Sequence, residues 1–373
     1  MSNLERLQEF GQSVYLDEIR RSWLSDGTLK RLIDDDGLRG VTSNPAIFQK
    51  AIGQSDDYDD AVEDLARRGL EVDKAYEELV VEDIQGACDL FRPLYDASDG
   101  RYGYVSLEVS PHLAHDTEGT VDEARHLWKR LGRPNAFIKV PGTAAGLPAI
   151  RTLLSEGINV NVTLLFGLGR YRDVIDAYLS GLEDRRKAGG DISHVASVAS
   201  FFLSRIDVMI DPMLERIMGQ GGPRAATARE LHGEIAIASA KRAYAIFEEV
   251  FGSDRFQALE HQGARKQRLL WASTSTKNPD YSDVKYVEPL IGPDTINTMP
   301  SETLDAYRDH GDPADRVRDD MDAYGRKLAQ LGELSIDLDE ITQALEDEGV
   351  DKFIKPFDKL LGTLAEELRK APA

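Results

Sequence analysis

Lys139 is the residue to which chemistry is most readily assigned. It sits near the downstream end of an apolar, strand-like run, Asn135-Ala-Phe-Ile-Lys-Val-Pro-Gly142, that Pro141 and Gly142 bring to a stop. If such a strand is buried on both faces, as in a parallel sheet, an ammonium on it is costly to desolvate. Its pKa should then fall from about 10.4 toward neutrality. A neutral amine is a nucleophile toward carbonyls. Taken alone, Lys139 equally fits a solvated residue flanking a strand end; its companions decide between the two.

Those companions are polar residues on runs that otherwise read as buried strands. Ile158 to Leu164 alternates, with Ile158, Val160, Val162 and Leu164 on one face and Asn159, Asn161 and Thr163 on the other. Ser106 and Glu108 share a face opposite Val105, Leu107 and Val109; Thr42 and Asn44 share one opposite Val41; Asp17 lies with Tyr15 opposite Leu16. A single Asn or Thr of this kind is as readily a structural hydrogen-bond partner. Five strands carrying polar groups toward their downstream ends point to a lined site, because barrel enzymes keep their chemistry at that end. An amine, two carboxylates and a hydroxyl suit Schiff-base carbon–carbon chemistry, which needs a nucleophile, proton carriers and a means of holding water.

The elements that must position these groups alternate between short apolar runs and helical stretches, which implies a parallel sheet. The runs are Ser13–Asp17, Gly40–Asn44, Tyr102–Val109, Ala136–Val140, Ile158–Leu164, His194–Phe201, Arg268–Thr274 and Thr295–Met299. Eight such runs make a closed (β/α)8 TIM barrel the simplest architecture, an α/β fold formed here by one elaborated domain over residues 1–373. Two connections, about 45–100 and 203–267, are too long for plain crossovers and keep apolar residues at helical spacing, so they read as helical insertions. Thr120 with Glu123 has the form of a capping box before Leu127, Trp128 and Leu131. Tyr171, Val174, Ile175, Tyr178, Leu179 and Leu182 form a helical stripe ending near Gly189 and Gly190. From about 300 to 373 runs an acidic, helical tail whose last helix is expected to begin at Pro356, with Phe357, Leu360, Leu361, Leu364 and Leu368 docking on the barrel.

Composition narrows the partners. With 45 basic and 66 acidic residues the net charge is −21, which argues against nucleic acid and against anionic membrane surfaces. Any bound phosphate must meet a local cationic pocket. No apolar run is long enough to span a bilayer, and the start of the chain has no signal-like pattern. The single cysteine, Cys88, cannot form an internal disulfide, and it shares a helical stripe with Tyr76, Leu79, Ile84 and Phe91, as a core thiol does. A reducing, cytoplasmic setting is therefore expected.

Taken together and in this order, Val41-Thr-Ser-Asn-Pro45, Val105-Ser-Leu-Glu108, Phe137-Ile-Lys139-Val-Pro141, Asn159-Val-Asn-Val-Thr163 followed by Leu164-Leu-Phe166, and Ser200 with Arg205 resemble the transaldolase family, in a longer bacterial-type form. The resemblance runs through most of the chain. It implies a class I aldolase-type mechanism in the pentose phosphate pathway, with no metal and no organic cofactor. Lys139 would attack the C2 ketone of sedoheptulose 7-phosphate or fructose 6-phosphate. Glu108, through a water held by Thr163, would move protons during carbinolamine dehydration, and Asp17 would take the C4 hydroxyl proton as C3–C4 breaks. Asn44 and Asn161 would hold the dihydroxyacetone hydroxyls, with Thr42 and Ser106 nearby. Arg205 and Ser200 would grip the phosphate. An ion pair of Arg205 with Asp207 is the competing use of that cation. On the seventh strand, Ala272-Ser-Thr-Ser-Thr-Lys277 replaces the family's arginine-bearing segment, which assigns the second cation to Lys277, with Ser275 beside it.

Other signals carry less. His112, His115 and Asp116 could share one turn as metal ligands, but no matching cluster completes a set, which favours a surface turn. Pro141-Gly-Thr-Ala-Ala-Gly146 lacks the Gly-Lys-Ser/Thr ending of a phosphate loop and reads as a strand-to-helix turn. Asn161-Val-Thr163 is a sequon only by chance. Three readings compete with transfer: an aldolase releasing free dihydroxyacetone, a non-catalytic sugar-phosphate-binding barrel, and a metal-dependent barrel enzyme. The oligomeric state stays open, with a homodimer among the options.

Overall fold

The structure, a computed structural model, describes residues 2–53 and 55–370. Residue 54 of the first long connection and residues 371–373 of the tail lie outside the described residues. The strands are β1 (Gln12–Leu16), β2 (Gly40–Val41), β3 (Tyr104–Glu108), β4 (Ala136–Pro141), β5 (Val160–Leu165), β6 (Ser197–Phe202), β7 (Arg268–Ala272) and β8 (Thr295–Met299). They close in sequence order into one all-parallel barrel, with β1 pairing β8 from Gln12↔Thr295 to Leu16↔Met299. Parallel strands buried on both faces need apolar runs, and every position of seven of the eight strands is buried, with only Arg268 on β7 half-buried. The register sets Glu108 of β3 beside Lys139 of β4, and Lys139 beside Asn161 of β5. The side-chain period of two then sends all three into the barrel at one level.

Both long connections are helical. The first holds Pro45–Gly53, Asp59–Arg67 and Val72–Ala97; the second holds Ser204–Gln220, Gly222–Leu231, Ile235–Phe251 and Asp254–Glu260. Cys88 is fully buried on the helix Val72–Ala97, with Leu79, Ile84 and Phe91 in the same core. The Tyr171 to Leu182 stripe is buried along the helix Leu168–Lys187. No helix among the described residues is long and apolar enough to cross a membrane.

Three local expectations are corrected. The helix Thr117–Leu131 is capped by Asp116, whose Oδ1 accepts from Gly119 N at 3.0 Å, and not by a Thr120–Glu123 box. Thr120 already lies inside the first turn and donates to Leu113 O, while Glu123 accepts from Ser110 N. The last helix does not begin at Pro356: it runs unbroken from Leu338 to Lys370 with that proline inside it. A mid-helix proline loses one backbone hydrogen bond, but Phe353 and Phe357 on either side of it are buried, and that packing holds the segment helical. On β5 the alternation fails at Leu164, whose φ of 58° is left-handed and which falls where the pairing with β6 shifts register.

The turn after β4 is shaped by packing. A Cβ on Gly146 would stand 2.0 Å from Pro141 O, so only glycine fits, and Thr143 Oγ1 accepts from Gly146 N. This is the strand-to-helix turn read from the sequence. His112 of the neighbouring turn meets Asp358 on the last helix at 2.6 Å.

Candidate active site

Lys139 projects from β4 into the barrel and is 4% exposed. Its Nζ donates to Ser43 O at 3.0 Å and to Glu108 Oε2 at 3.1 Å. Glu108 is buried by the same packing, and desolvation pushes its carboxyl up to about 7 even though the Lys139 charge pulls the other way. The other Glu108 oxygen, Oε1, and Thr163 Oγ1 are sealed from solvent and have no partner among the described residues. Two buried polar atoms left this way on the strands either side of β4 suit one bridging water.

Asp17 follows β1 directly and is tied to β8 through its N–H to Met299 O at 2.8 Å. Thr42 Oγ1 lies 2.7 Å from both Asp17 Oδ1 and Thr298 Oγ1, which fixes the carboxylate's rotamer. Burial raises the Asp17 pKa, against the lowering effect of Lys139 and Thr42. Asn44 spends its Oδ1 as the cap of the helix Pro45–Gly53, accepting from Ala46 N and Ile47 N at 3.0 Å each. Its amide donor is thereby aimed with the chain's own turn. Deeper in the barrel, Asn161 Nδ2 donates to Ser106 Oγ at 3.0 Å and Ser200 Oγ donates to Asn161 Oδ1 at 2.7 Å, a chain across β3, β5 and β6. One Asn161 amide hydrogen remains beyond these two bonds.

These side chains surround a cavity of about 310 Å³ at the downstream end of the barrel. Asp17, Thr42, Asn44, Lys139, Thr163, Ser200, Arg205, Ser275 and Lys277 line it. Glu108 and Asn161 stand one hydrogen bond behind the wall, through Lys139 and Ser200, and Ser106 stands one further, through Asn161. The cationic end holds Arg205, Lys277 and, from the first long connection, Lys50. Arg205 Nη1 is buried without a partner among the described residues, and its guanidinium lies 5.7 Å from the Phe202 ring. Burial presses the pKa of both Arg205 and Lys277 below the ordinary range, as expected for cations short of an anion. The competing use of Arg205 is ruled out by geometry. Asp207 is taken up by Ala236 N, by the Tyr286 hydroxyl at 2.8 Å and by Lys285 at 3.5 Å.

Some of the site was not legible. Ser43 contributes a backbone carbonyl, which any residue type supplies. Phe353, 5.5 Å from Lys139 Nζ, comes from the last helix, whose apolar stripe signals docking without saying over what. Thr298 is one of two hydroxyls on β8 and acquires its meaning only through Thr42. β7 ends at Ala272, not Thr274, because Ser273 takes a φ of 55° and its carbonyl accepts from Ser204 N at 3.1 Å. That turn swings Ser275 and Lys277 toward Arg205, and Lys277 Nζ donates to Ser275 Oγ.

Comparison with known proteins fits this arrangement. The sequence pattern of the family described as Transaldolase/Fructose-6-phosphate aldolase matches residues 14–364. The chain belongs to that family. It is 50% identical over 371 residues to a protein named Transaldolase from Saccharopolyspora erythraea, covering 99% of each chain. It is 46% identical over 369 residues to Transaldolase 2 of Nostoc sp., covering 98% of this chain and 97% of that one. A Transaldolase from Mycobacterium tuberculosis is 49% identical over 364 residues, with 96% of this chain and 95% of the relative covered. The family's residue pattern thus extends over both long connections and most of the last helix.

Proposed function

We propose that Lys139 carries a three-carbon ketol unit as an imine between two sugar phosphates. The activity is that of a transaldolase, a transferase of carbohydrate metabolism in the non-oxidative pentose phosphate pathway. The Lys139 amine adds to the C2 carbonyl of sedoheptulose 7-phosphate or fructose 6-phosphate. Glu108 and the water held with Thr163 deliver the proton with which the carbinolamine hydroxyl leaves as water. Asp17 takes the C4 hydroxyl proton while the C3–C4 electron pair flows into the iminium, so an aldose phosphate departs and an enamine stays on Lys139. Glyceraldehyde 3-phosphate or erythrose 4-phosphate then enters, the enamine carbon attacks its aldehyde, and Asp17 returns the proton to the new hydroxyl. Asn44 and Asn161, with Thr42 and Ser106, hold the hydroxyls of the retained unit; Arg205, Ser200, Ser275 and Lys277 hold the phosphate. This chemistry is assigned to the cytoplasm and uses the protein's own side chains.

The observation that carries the reading is the buried contact of Lys139 Nζ with Glu108 Oε2 at 3.1 Å, in a cavity whose other wall presents Arg205 and Lys277. Phe353 over the amine supports transfer in preference to hydrolysis, because an apolar cover limits water at the enamine. A coupled assay with fructose 6-phosphate, run with and without erythrose 4-phosphate, tests it. Turnover is expected only with the acceptor present. Steady release of dihydroxyacetone without acceptor assigns the aldolase activity instead.

A further inference from the structure

The opposite, upstream end of the barrel holds a second cavity, of about 490 Å³. TIM barrels ordinarily fill that end with layered apolar side chains. Here Tyr15, Tyr104, Phe137, Val198 and Ile296 supply such a lining, but Arg268, the first residue of β7, points in among them. Arg268 Nη2 donates to Ser13 Oγ at 2.8 Å and to Thr295 O at 2.7 Å; its Nε is sealed from solvent and has no partner among the described residues. No carboxylate is within ion-pair distance of this guanidinium among the described residues.

Three more cations, Arg101, Arg265 and Lys266, stand around the opening. Their counter-charges are incomplete. Asp294 is shared by Arg101 at 3.4 Å and Lys266 at 3.1 Å, and Arg265 pairs, among the described residues, with Asp99 alone, at 3.5 Å, whose side chain is 94% exposed. Glu260 is the third carboxylate of the lining. A chain of net charge −21 therefore keeps four cations against three carboxylates at one concave site, with the most enclosed cation unpaired.

We propose that this basal cavity is a second anion site that binds a small phosphate-bearing molecule, with Arg268 as its anchor and Lys266 and Arg101 at its rim. A guanidinium forks onto a phosphate through paired N–H donors, and Arg268 has donors left over. Phosphate is favoured over a single carboxylate because a doubly charged group matches several cations at once. The aromatic wall and the volume leave room for a small organic body on the phosphate.

Isothermal titration of the full chain with inorganic phosphate, and separately with glycerol 3-phosphate, tests the proposal. The background is Arg205→Gln/Lys277→Gln, which removes two of the three cations at the phosphate end of the downstream cavity and leaves Lys50. One phosphate compound per chain is expected to bind in this background, and adding Arg268→Gln should weaken it more than tenfold. Tighter binding of the ester would assign a phosphorylated metabolite, and equal or tighter binding of the free ion would assign phosphate itself. If circular dichroism shows that Arg268→Gln does not fold, Lys266→Gln takes its place, with a several-fold loss expected. No binding in the double variant, or binding unmoved by Arg268→Gln or its replacement, overturns the proposal.

Discussion

Replacing Glu108 by glutamine keeps the side chain's size and takes away its ability to exchange a proton. Burial raises this carboxyl from the ordinary 4.5 to about 7, so near neutral pH it is part acid and part base, which suits a group that must both give and take a proton. Loss of a positioned proton carrier costs about 10²- to 10⁴-fold in rate; a fall in kcat of about 10²- to 10³-fold is expected, because water can still reach the cavity. The pH profile is the sharper readout. Wild-type kcat/KM should show an inflection near pH 7 that belongs to Glu108, and Glu108→Gln should lack it. Stability gives a second arm. Because the folded carboxyl titrates above its unfolded value, its contribution is fully present below about pH 4.5 and is lost as pH rises through about 7. At about 1.36 kcal/mol per pKa unit, the displacement from 4.5 to about 7 corresponds to an upper bound of about 3 kcal/mol, less in practice because removing Glu108 strands the Lys139 charge. Stopped-flow and coupled assays give the first quantity, and urea unfolding at pH 5 and pH 8 the second. Full activity with the inflection intact would refute the role assigned to Glu108.

Other substitutions divide binding from chemistry. Arg205→Gln should raise KM for a ketose phosphate about 10- to 100-fold, the scale of a charged hydrogen bond worth about 1.5–3 kcal/mol, with kcat changed far less; a kcat loss at constant KM would contradict the phosphate role. Phe353→Ala removes a side chain that is 5% exposed and packed over Lys139, so unfolding should become easier by about 3–5 kcal/mol, and dihydroxyacetone should leak from the enamine in the absence of acceptor. An unchanged leak in a folded variant would remove the cover role. Tyr281 donates to Asp211 Oδ2 at 2.7 Å, and Asp211 lies on the same helix as Arg205. Tyr281→Phe should therefore loosen the segment carrying Lys277 and raise KM several-fold while leaving imine formation on Lys139 intact, as measured by steady-state kinetics and trapping.

What the sequence exposed, and what it hid, follows from which interactions are local. Apolar runs broken by glycine and proline placed the eight strands to within a few residues, because parallel strands must be apolar on both faces. Polar residues breaking those runs, such as Glu108, Asn161 and Thr163, stood out for the same reason, and the barrel gathered them at one end. Signals that rest on a single local rule fared worse. Thr120 and Glu123 fit a cap spacing, yet Asp116 began the helix earlier; Pro356 is a helix starter by propensity, yet the buried Phe353 and Phe357 carried the helix through it. Long-range partners left no mark at all. The Ser43 carbonyl on Lys139 and the Tyr281 and Tyr286 hydroxyls on the helix of Arg205 depend on how distant segments fold back, which no spacing encodes.

The central claim is that one lysine amine at the heart of the barrel becomes covalently joined to the substrate. Borohydride reduction of the intact protein with fructose 6-phosphate, followed by intact-mass and peptide analysis, addresses it directly. The account predicts a single three-carbon adduct located on Lys139 and absent from Lys139→Ala. An active protein that carries no adduct, or carries it on another lysine, would contradict it.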